Sequence, residues 1–194
     1  MSKKFLSEGV PSFFMKYDTG LPFDQCSLCE NILETQNKYI VEKVFKQNRL
    51  LFTSEIVHEY AVCWDCTQSA GQEVSDESRQ AIMNLFREHQ AHVMMKADFL
   101  HEQELYAMKS WVEKCSLTGK EIRLCDEYAV SGIIENGRLV YDYSPMVVSD
   151  TFMQKLQGVL SKETKEAFDD LSEQILDGAP SLEDFIFTPT PGLF

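Results

Sequence analysis

Four cysteines stand in the sequence as two Cys-x-x-Cys pairs, Cys26 with Cys29 and Cys63 with Cys66. The spacing within a pair lets two sulfurs reach one metal ion, and a second pair brought alongside completes a tetrahedron of thiolates. Structural zinc prefers this ligand set, which leaves no open position for a catalytic water. We therefore predict one structural Zn²⁺ per chain, held by these four cysteines.

Redox chemistry and disulfide formation are the competing uses of these cysteines. A redox dithiol needs a thioredoxin-like βαβ context, and the segments around the pairs do not have it. A disulfide framework belongs to secreted chains, yet the basic pair Lys3-Lys4 is not followed by the apolar segment of a signal peptide. No apolar run approaches the length of a transmembrane helix. We therefore expect a cytoplasmic protein whose thiolates bind metal.

The charge balance of the chain restricts its partners. With 31 acidic and 18 basic residues among 194, the formal net charge is −13 at pH 7. Nucleic acids and anionic membranes bind basic surfaces, so we expect neither as a direct partner. The same charge favours a protein partner with a basic surface.

The residues around the cysteines predict the elements that must position them. Residues 38–45 and 55–62 are rich in β-branched and aromatic side chains, which is typical of strands. The second strand runs directly into Cys63, and a helix is expected over residues 64–72. A metal-binding turn at residues 26–29, a β-hairpin, and a cysteine pair at the start of a helix therefore follow one another.

This order resembles that of a treble-clef zinc finger, and the resemblance covers residues 24–72. It implies a knuckle, a hairpin and a helix arranged around one metal, and it points to no named functional family. Some treble clefs are nuclease cores of the His-Asn-His type, in which histidines hold a catalytic metal. Only His58 falls within the region here, so the convergent groups that a nuclease needs are missing and we do not expect this activity.

The rest of the chain predicts helices and a second hairpin. Ser75 is followed by acidic residues, as at a helix N-cap, and no Gly or Pro occurs from there to Lys114. This span forms either one long connecting helix or two helices with a bend near residues 100–104. Asn136-Gly137 between two strand-like runs predicts a hairpin. The two runs are residues 128–134 and 138–143, and helices are expected for about ten residues after Ser149 and from Ser161 to Gly178.

The second half of the sequence repeats the first. An offset of 89 aligns the first cysteine pair and the strand after it, an offset of 83 aligns the next strand, and an offset of 86 aligns the following helix. We interpret this as an internal duplication. The predicted degenerate site consists of Cys115, Thr118, Met146 and Ser149, which align in that order with the four cysteines of the first copy. Only Cys115 is a good zinc ligand, so the second copy is predicted to be metal-free and held by its own apolar core.

Other residues that could bind metal or react lack partners in the sequence. Two groups on the long helical span have helical spacing, namely Glu88 with His89 and His92, and His101 with Glu104. Bundle metal sites need such pairs on two helices, and further carboxylates, which we do not find. Cys125 is interpreted as a buried thiol. The C-terminal aromatics Phe185, Phe187 and Phe194 either dock in another protein or pack on the chain's own repeats.

These patterns predict an α+β protein made of tandem treble-clef-like repeats joined by a long helix. Its parts are an N-terminal arm (1–23), a zinc-binding repeat (24–75), a connecting helical segment (76–112), a degenerate metal-free repeat (113–178) and a C-terminal tail (179–194). The expected function is that of a non-catalytic cytoplasmic adaptor or protein-interaction protein. Two alternatives stay open, an enzyme with a site between the repeats and a module associated with nucleic-acid machinery through protein contacts.

Overall fold

The computed structural model describes residues 5–48, 50–51 and 53–176, so the predicted tail and the expected helix end at Gly178 lie outside the described residues. The strands are β1 (Phe5–Leu6), β2 (Lys38–Asn48), β3 (Thr53–Cys63), β4 (Glu127–Glu135), β5 (Arg138–Tyr141) and β6 (Met146–Ser149). The helices are α1 (Trp64–Gln72), α2 (Asp76–Glu102), α3 (Met108–Val112), α4 (Asp150–Val159) and α5 (Lys162–Leu176). The prediction of mixed α and β structure is therefore confirmed.

β2 and β4 form the centre of an antiparallel sheet. The strand order is β1-β5-β4-β2-β3, and β6 also pairs with β4. On one side β2 forms the expected hairpin with β3, with Tyr39 opposite Cys63 at its base. On the other side β2 pairs from Lys38 to Lys46 with the whole of β4, with Glu42 opposite Ser131 at the middle of the ladder. The two halves of the chain thus meet through one continuous pair of strands.

The central strand β2 is buried on both faces, since every residue from Tyr39 to Phe45 is buried. One face packs in an apolar cluster that includes Phe14 and Trp111, and the other packs in a cluster that includes Val44 and Phe152. Five of these seven residues are apolar, and the two charged ones have partners, Glu42 in the Tyr60 hydroxyl and Lys43 in the Glu59 carboxylate.

The N-terminal arm lies against the first of these faces. A 3-10 turn at Ser12–Phe14 places the Phe14 ring over Gly132 of β4, where any Cβ would collide with it. The buried Lys43 ammonium pairs with Glu59 at 2.7 Å and also donates to the Met15 carbonyl. The arm is therefore held by both packing and charge.

The connecting segment consists of two helices, as in the second of the two arrangements that the sequence left open. α2 starts at the expected cap, where the Ser78 N–H donates to the Ser75 hydroxyl at 3.2 Å. It ends in a left-handed turn in which Glu104 has a φ of 52° and the Leu105 N–H donates to the Leu100 carbonyl at 2.9 Å. Such a turn is a standard helix terminator, and α3 begins after it.

The second hairpin is shorter than the sequence predicts. β4 and β5 pair only at Ile134 with Leu139 and at Glu135 with Arg138, after which β5 turns away to pair with β1. The expected strand to Tyr143 therefore ends at Tyr141, and β6 takes the place beside β4. The interruption contains Pro145, which has no N–H to donate to a ladder.

β6 lies beside β4 in a register that matches that of β3 beside β2. Ser149 lies opposite Tyr128, and Cys63 lies opposite Tyr39. Met146 lies opposite Ser131, and Tyr60 lies opposite Glu42. In the two ladders Ser149 therefore takes the position of Cys63, and Met146 takes that of Tyr60.

Candidate metal centre

The first cysteine pair lies on a tight turn before β2. The Cys26 N–H donates to the Asn31 carbonyl, and the Glu30 N–H donates to the Cys26 carbonyl, both at 2.9 Å. Glu30 has a φ of 59°, and a single bridge between Gln25 and Ile32 closes the turn. This geometry presents the sulfurs of positions 26 and 29 on one side of the turn.

The second pair lies where β3 becomes α1. Cys63 is the residue before the helix, and Cys66 follows within its first turn. The Ser27 N–H donates to the Ala61 carbonyl at 2.8 Å, which fixes the first turn against the edge of β3. The Cys63 N–H points at the Cys26 sulfur, at 3.3 Å. These backbone hydrogen bonds bring the two pairs together.

The four sulfur atoms converge within 4.8 Å of one another. The Cys29 and Cys63 sulfurs are 3.8 Å apart, which matches the edge of about 3.8 Å for a tetrahedron with zinc–sulfur bonds of about 2.3 Å. All four cysteines are free, and that separation is far longer than a disulfide bond of about 2.05 Å. The group could hold a metal ion such as Zn²⁺, and within residues 5–176 as described no other group of metal-ligating side chains is so arranged.

The protonation of the sulfurs also fits a cation. Burial acts to raise the pKa of Cys26, but hydrogen bonds from backbone N–H groups, first that of Cys63, outweigh it and lower the pKa. Burial raises the pKa of Cys63 and, with hydrogen bonds to neighbouring sulfurs, that of Cys66. Without a cation, four thiolates this close repel one another, whereas a bound divalent metal stabilises all four.

The second half of the chain contains the same turn. The Cys115 N–H donates to the Lys120 carbonyl at 2.7 Å, and the Gly119 N–H donates to the Cys115 carbonyl at 2.9 Å. Gly119 has a φ of 71°, as Glu30 has a positive φ in the first turn. The Ser116 N–H donates to the Val147 carbonyl at 2.8 Å, the counterpart of the bond from Ser27 to Ala61.

The residues inside this second turn differ from the first in kind. The Cys115 sulfur is buried, and the hydroxyls of Ser149 and Thr118 face it. Burial acts to raise the pKa of Cys115, but those hydroxyls lower it below its usual value. The fully buried ring of Phe152, in the first turn of α4, packs edge-on against Phe86 with ring centres 5.4 Å apart. Cys115 and Phe152 belong to the same buried apolar cluster.

Lys96 of α2 is a site residue that the sequence analysis missed. Its ammonium donates to the Trp111 carbonyl at 2.6 Å, to the Lys114 carbonyl at 3.1 Å and to the Ser116 hydroxyl at 3.3 Å. Burial lowers the pKa of Lys96 to about 8, although the charge of Cys115 opposes this shift. The signal in the sequence was its place on the buried stripe of α2, beside Val93, Ala97 and Leu100.

The histidines considered as metal ligands lie in packing positions. His89 lies edge-on to Phe152, and the His92 ring lies against Gly119, where a Cβ would come within 3.1 Å of it. His101 lies 3.3 Å from the Tyr106 hydroxyl. His58 is opposite Val44 in the β2–β3 ladder. The described residues place none of these in a metal-ligating group.

Cys125 is buried near the second turn. Its sulfur lies 3.7 Å from the Glu121 carbonyl, and burial together with the charge of Asp150 raises its pKa to about 11. A thiol with this pKa is protonated at neutral pH and is a poor nucleophile. It does not extend the second turn into a metal site, because the described residues form no second metal-ligating group.

Comparisons with protein-family models, with curated proteins and with solved structures found no match for the chain. The interpretation of the site therefore depends on its own geometry. None of the described helices is both long enough and apolar enough to span a bilayer.

Proposed function

We propose that this protein is a non-catalytic zinc-binding interaction protein, made of two treble-clef-like repeats of which only the first holds Zn²⁺. The observation that carries the proposal is the convergence of four cysteine sulfurs within 4.8 Å. Four thiolates saturate a tetrahedral zinc ion and leave no position for a water or a substrate. A zinc bound in this way stabilises a fold and does not take part in catalysis.

The proposed duplication is supported by matched backbone contacts. The hydrogen bonds that close the turn at Cys26 recur at Cys115, and the bond from Ser27 to β3 recurs from Ser116 to β6. Glu42 pairs across the β2–β4 ladder with Ser131, its own counterpart at an offset of 89. Strands related in this way are related by a local two-fold axis, as in a symmetric dimer.

In the proposed second repeat, the register of β6 makes Thr118, Ser149 and Phe152 the counterparts of Cys29, Cys63 and Cys66, and these side chains support the loss of zinc. Serine and threonine hydroxyls do not ionise readily, and a phenyl ring offers no ligand atom. Phe152 instead contributes buried apolar surface, worth about 1.5–3 kcal/mol for a large side chain. Packing takes over the structural role that the metal has in the first repeat.

The proposed role in protein interaction is supported by charge and by the shape of the fold. A net charge of −13 favours partners with basic surfaces and disfavours direct contact with nucleic acid. The zinc in the first repeat would hold the β2–β3 hairpin and α1 rigidly, since metal binding is linked to folding in such sites. A rigid surface of this kind suits recognition rather than turnover.

Affinity capture with the tagged, zinc-loaded full chain tests this function. The expected result is one or a few basic proteins, enriched over capture with a chelated sample and released at high salt. The same partners should survive nuclease treatment of the extract. No protein enriched by the zinc-loaded chain would contradict the proposal, and partners lost on nuclease treatment would favour the alternative of a module associated with nucleic-acid machinery.

A further inference from the structure

We propose that the exposed face of α2 docks a basic amphipathic helix of a partner protein. This inference rests on the proposed interaction function and names the surface and the partner chemistry for it. The face is the ridge formed by Ala91, Met95 and Phe99 with the acidic residues on its two sides, and we call it the α2 face.

The ridge is apolar and open to solvent. Ala91, Met95 and Phe99 are four residues apart, so their side chains form one row along the helix. Met95 is 69% exposed and Phe99 is 57% exposed, although α2 buries its opposite side in the core. A phenylalanine and a methionine in solvent forgo burial free energy, and their alignment in one row is what a docking helix needs.

A neighbouring residue widens the row. Met94 is 40% exposed and lies next to Met95 at the edge of the ridge. Methionine side chains are flexible and polarizable, which lets them adapt to the side chains of a partner. From Ala91 to Phe99 the row is about 12 Å long, or roughly two helical turns. A partner helix with apolar residues at i and i+4 spans that length.

The charges around the row select a basic partner. Glu88 lies on one side of the ridge, and Asp98 and Glu102 lie on the other, all of them exposed. Within the described part of the chain none of these three carboxylates forms an ion pair. The nearest cations in sequence have other partners: Arg87 donates to Asn84 at 3.3 Å, and Lys96 donates to the Trp111 carbonyl at 2.6 Å. Lysine or arginine residues beside the apolar residues of a partner helix would meet all three carboxylates.

The same charges disfavour a second copy of this chain as the occupant. In an antiparallel pair of α2 helices centred on Met95, Glu88 of one copy faces Glu102 of the other. Like charges across a helix interface are repulsive, and the whole chain carries a charge of −13. A basic helix removes this repulsion instead of adding to it.

A defined peptide probe tests the α2 face. The probe is a labelled Leu/Lys amphipathic helix of about 18 residues, long enough to cover the row with a turn to spare at each end. A scrambled peptide of the same composition, which cannot present one apolar face, is the control. Binding to the zinc-loaded full chain is measured by fluorescence anisotropy. We expect the amphipathic peptide to bind at least about tenfold more tightly than the scrambled one.

The variants locate the binding site. Met95→Ser with Phe99→Ser should weaken binding of the amphipathic peptide by about tenfold or more, because it removes both apolar contacts. The matched control is Leu50→Ser with Leu51→Ser at the tip of the β2–β3 hairpin, where the leucines are 91% and 67% exposed. The affinity of this control for the amphipathic peptide should stay within about twofold of that of the unaltered chain. Equal binding of the scrambled peptide, equal loss in the control, or no loss in the α2 variant would overturn the proposal.

Charge neutralisation and self-association complete the test. The variant Glu88→Gln, Asp98→Asn, Glu102→Gln should weaken binding of the amphipathic peptide and reduce the dependence of its affinity on salt. An unchanged salt dependence would contradict the charge argument.

Sedimentation of the protein alone tests self-association through the α2 face. A dimer that dissociates in the Met95→Ser, Phe99→Ser variant would assign the face to a second copy, and we expect no such dimer. If affinity capture retains its basic partners in that variant, the interaction function stands and the α2 face fails. If the unaltered zinc-loaded chain captures no partner and binds no amphipathic peptide, the interaction function itself is contradicted.

Discussion

The hydroxyl oxygens of Ser75 and Ser161 lie 2.9 Å apart, at the starts of α2 and α5. The two helix starts bind each other reciprocally, because the Ser75 N–H donates to the Thr164 hydroxyl and the Ser161 N–H donates to the Ser78 hydroxyl. Ser75 with Ser161, and Ser78 with Thr164, are each 86 positions apart in the sequence. The β2–β4 ladder is likewise centred on Glu42 opposite Ser131, so reciprocal contacts join the two halves of the chain in both the helices and the sheet.

Removal of zinc should unfold the first half of the proposed pair. Cys26→Ser, Cys63→Ser or strong chelation removes a metal that contributes about 10–16 kcal/mol in comparable sites, as much as the whole stability of a typical domain. We expect loss of hydrogen-exchange protection over residues 24–72 and a lower melting temperature. The control Cys125→Ala should keep the metal and lose only local packing. Unchanged unfolding after all three treatments would contradict a structural role.

Three substitutions should rebuild a metal site in the second half. In the proposed second repeat, the register of β6 makes Thr118, Ser149 and Phe152 the counterparts of Cys29, Cys63 and Cys66. With Cys115 already present, T118C/S149C/F152C completes four thiolates and should bind a second zinc per chain. The set that follows from the sequence alignment, T118C/M146C/S149C, should bind only one. The opposite result by metal analysis would refute the correspondence.

How much of this was predictable differs between the two halves. The cysteine spacing, the first hairpin, the Ser75 cap and the ten residues of α4 follow from local signals, and the structure has them. The register of β6 did not follow, because the run at Leu139 resembles the run at Ile56 and was matched to it, whereas β6 is the strand that pairs with β4 as β3 pairs with β2. The register depends on which strands pair with each other, and a single sequence does not show that pairing.

The role of Lys96 was hidden for a different reason. A single lysine among the apolar residues of a long helix is common, and its partners are carbonyls of Trp111 and Lys114, which are distant in sequence. Because these acceptors are backbone carbonyls, no residue type in the sequence indicates them. The break after Glu102 was similarly ambiguous, since Glu104 adopts its left-handed conformation without a glycine.

Because Phe14 packs against Gly132, replacement of that glycine should destabilise the fold. A Cβ at position 132 would lie 2.5–2.9 Å from carbons of the Phe14 ring, so Gly132→Ala must displace the ring and the arm that carries it. We expect a loss of about 1–3 kcal/mol in the free energy of unfolding, as for overpacked cores. Gly158→Ala in α4 meets no atom within 4 Å and should gain up to about 1 kcal/mol. Denaturant titration measures both, and equal effects would contradict the contact.

Lys96 should give stability a specific pH dependence. Its pKa is about 8 in the folded chain, against a usual value of 10.5, because burial disfavours the ammonium. Between these values the unfolded state binds more protons, so the free energy of unfolding should rise with pH, by up to about 3 kcal/mol from this group. Lys96→Met should remove this rise, whereas Lys109→Met on the surface should keep it. A rise that persists in Lys96→Met would contradict the assignment.

The zinc content of the purified full chain tests the central claim most directly. Metal analysis with native mass spectrometry should find one Zn²⁺ per chain, bound by Cys26, Cys29, Cys63 and Cys66. The ion should be absent from a Cys29→Ser, Cys66→Ser variant and present in Cys115→Ala. Two zinc ions per chain, none, or one that survives the loss of Cys29 and Cys66 would contradict the account.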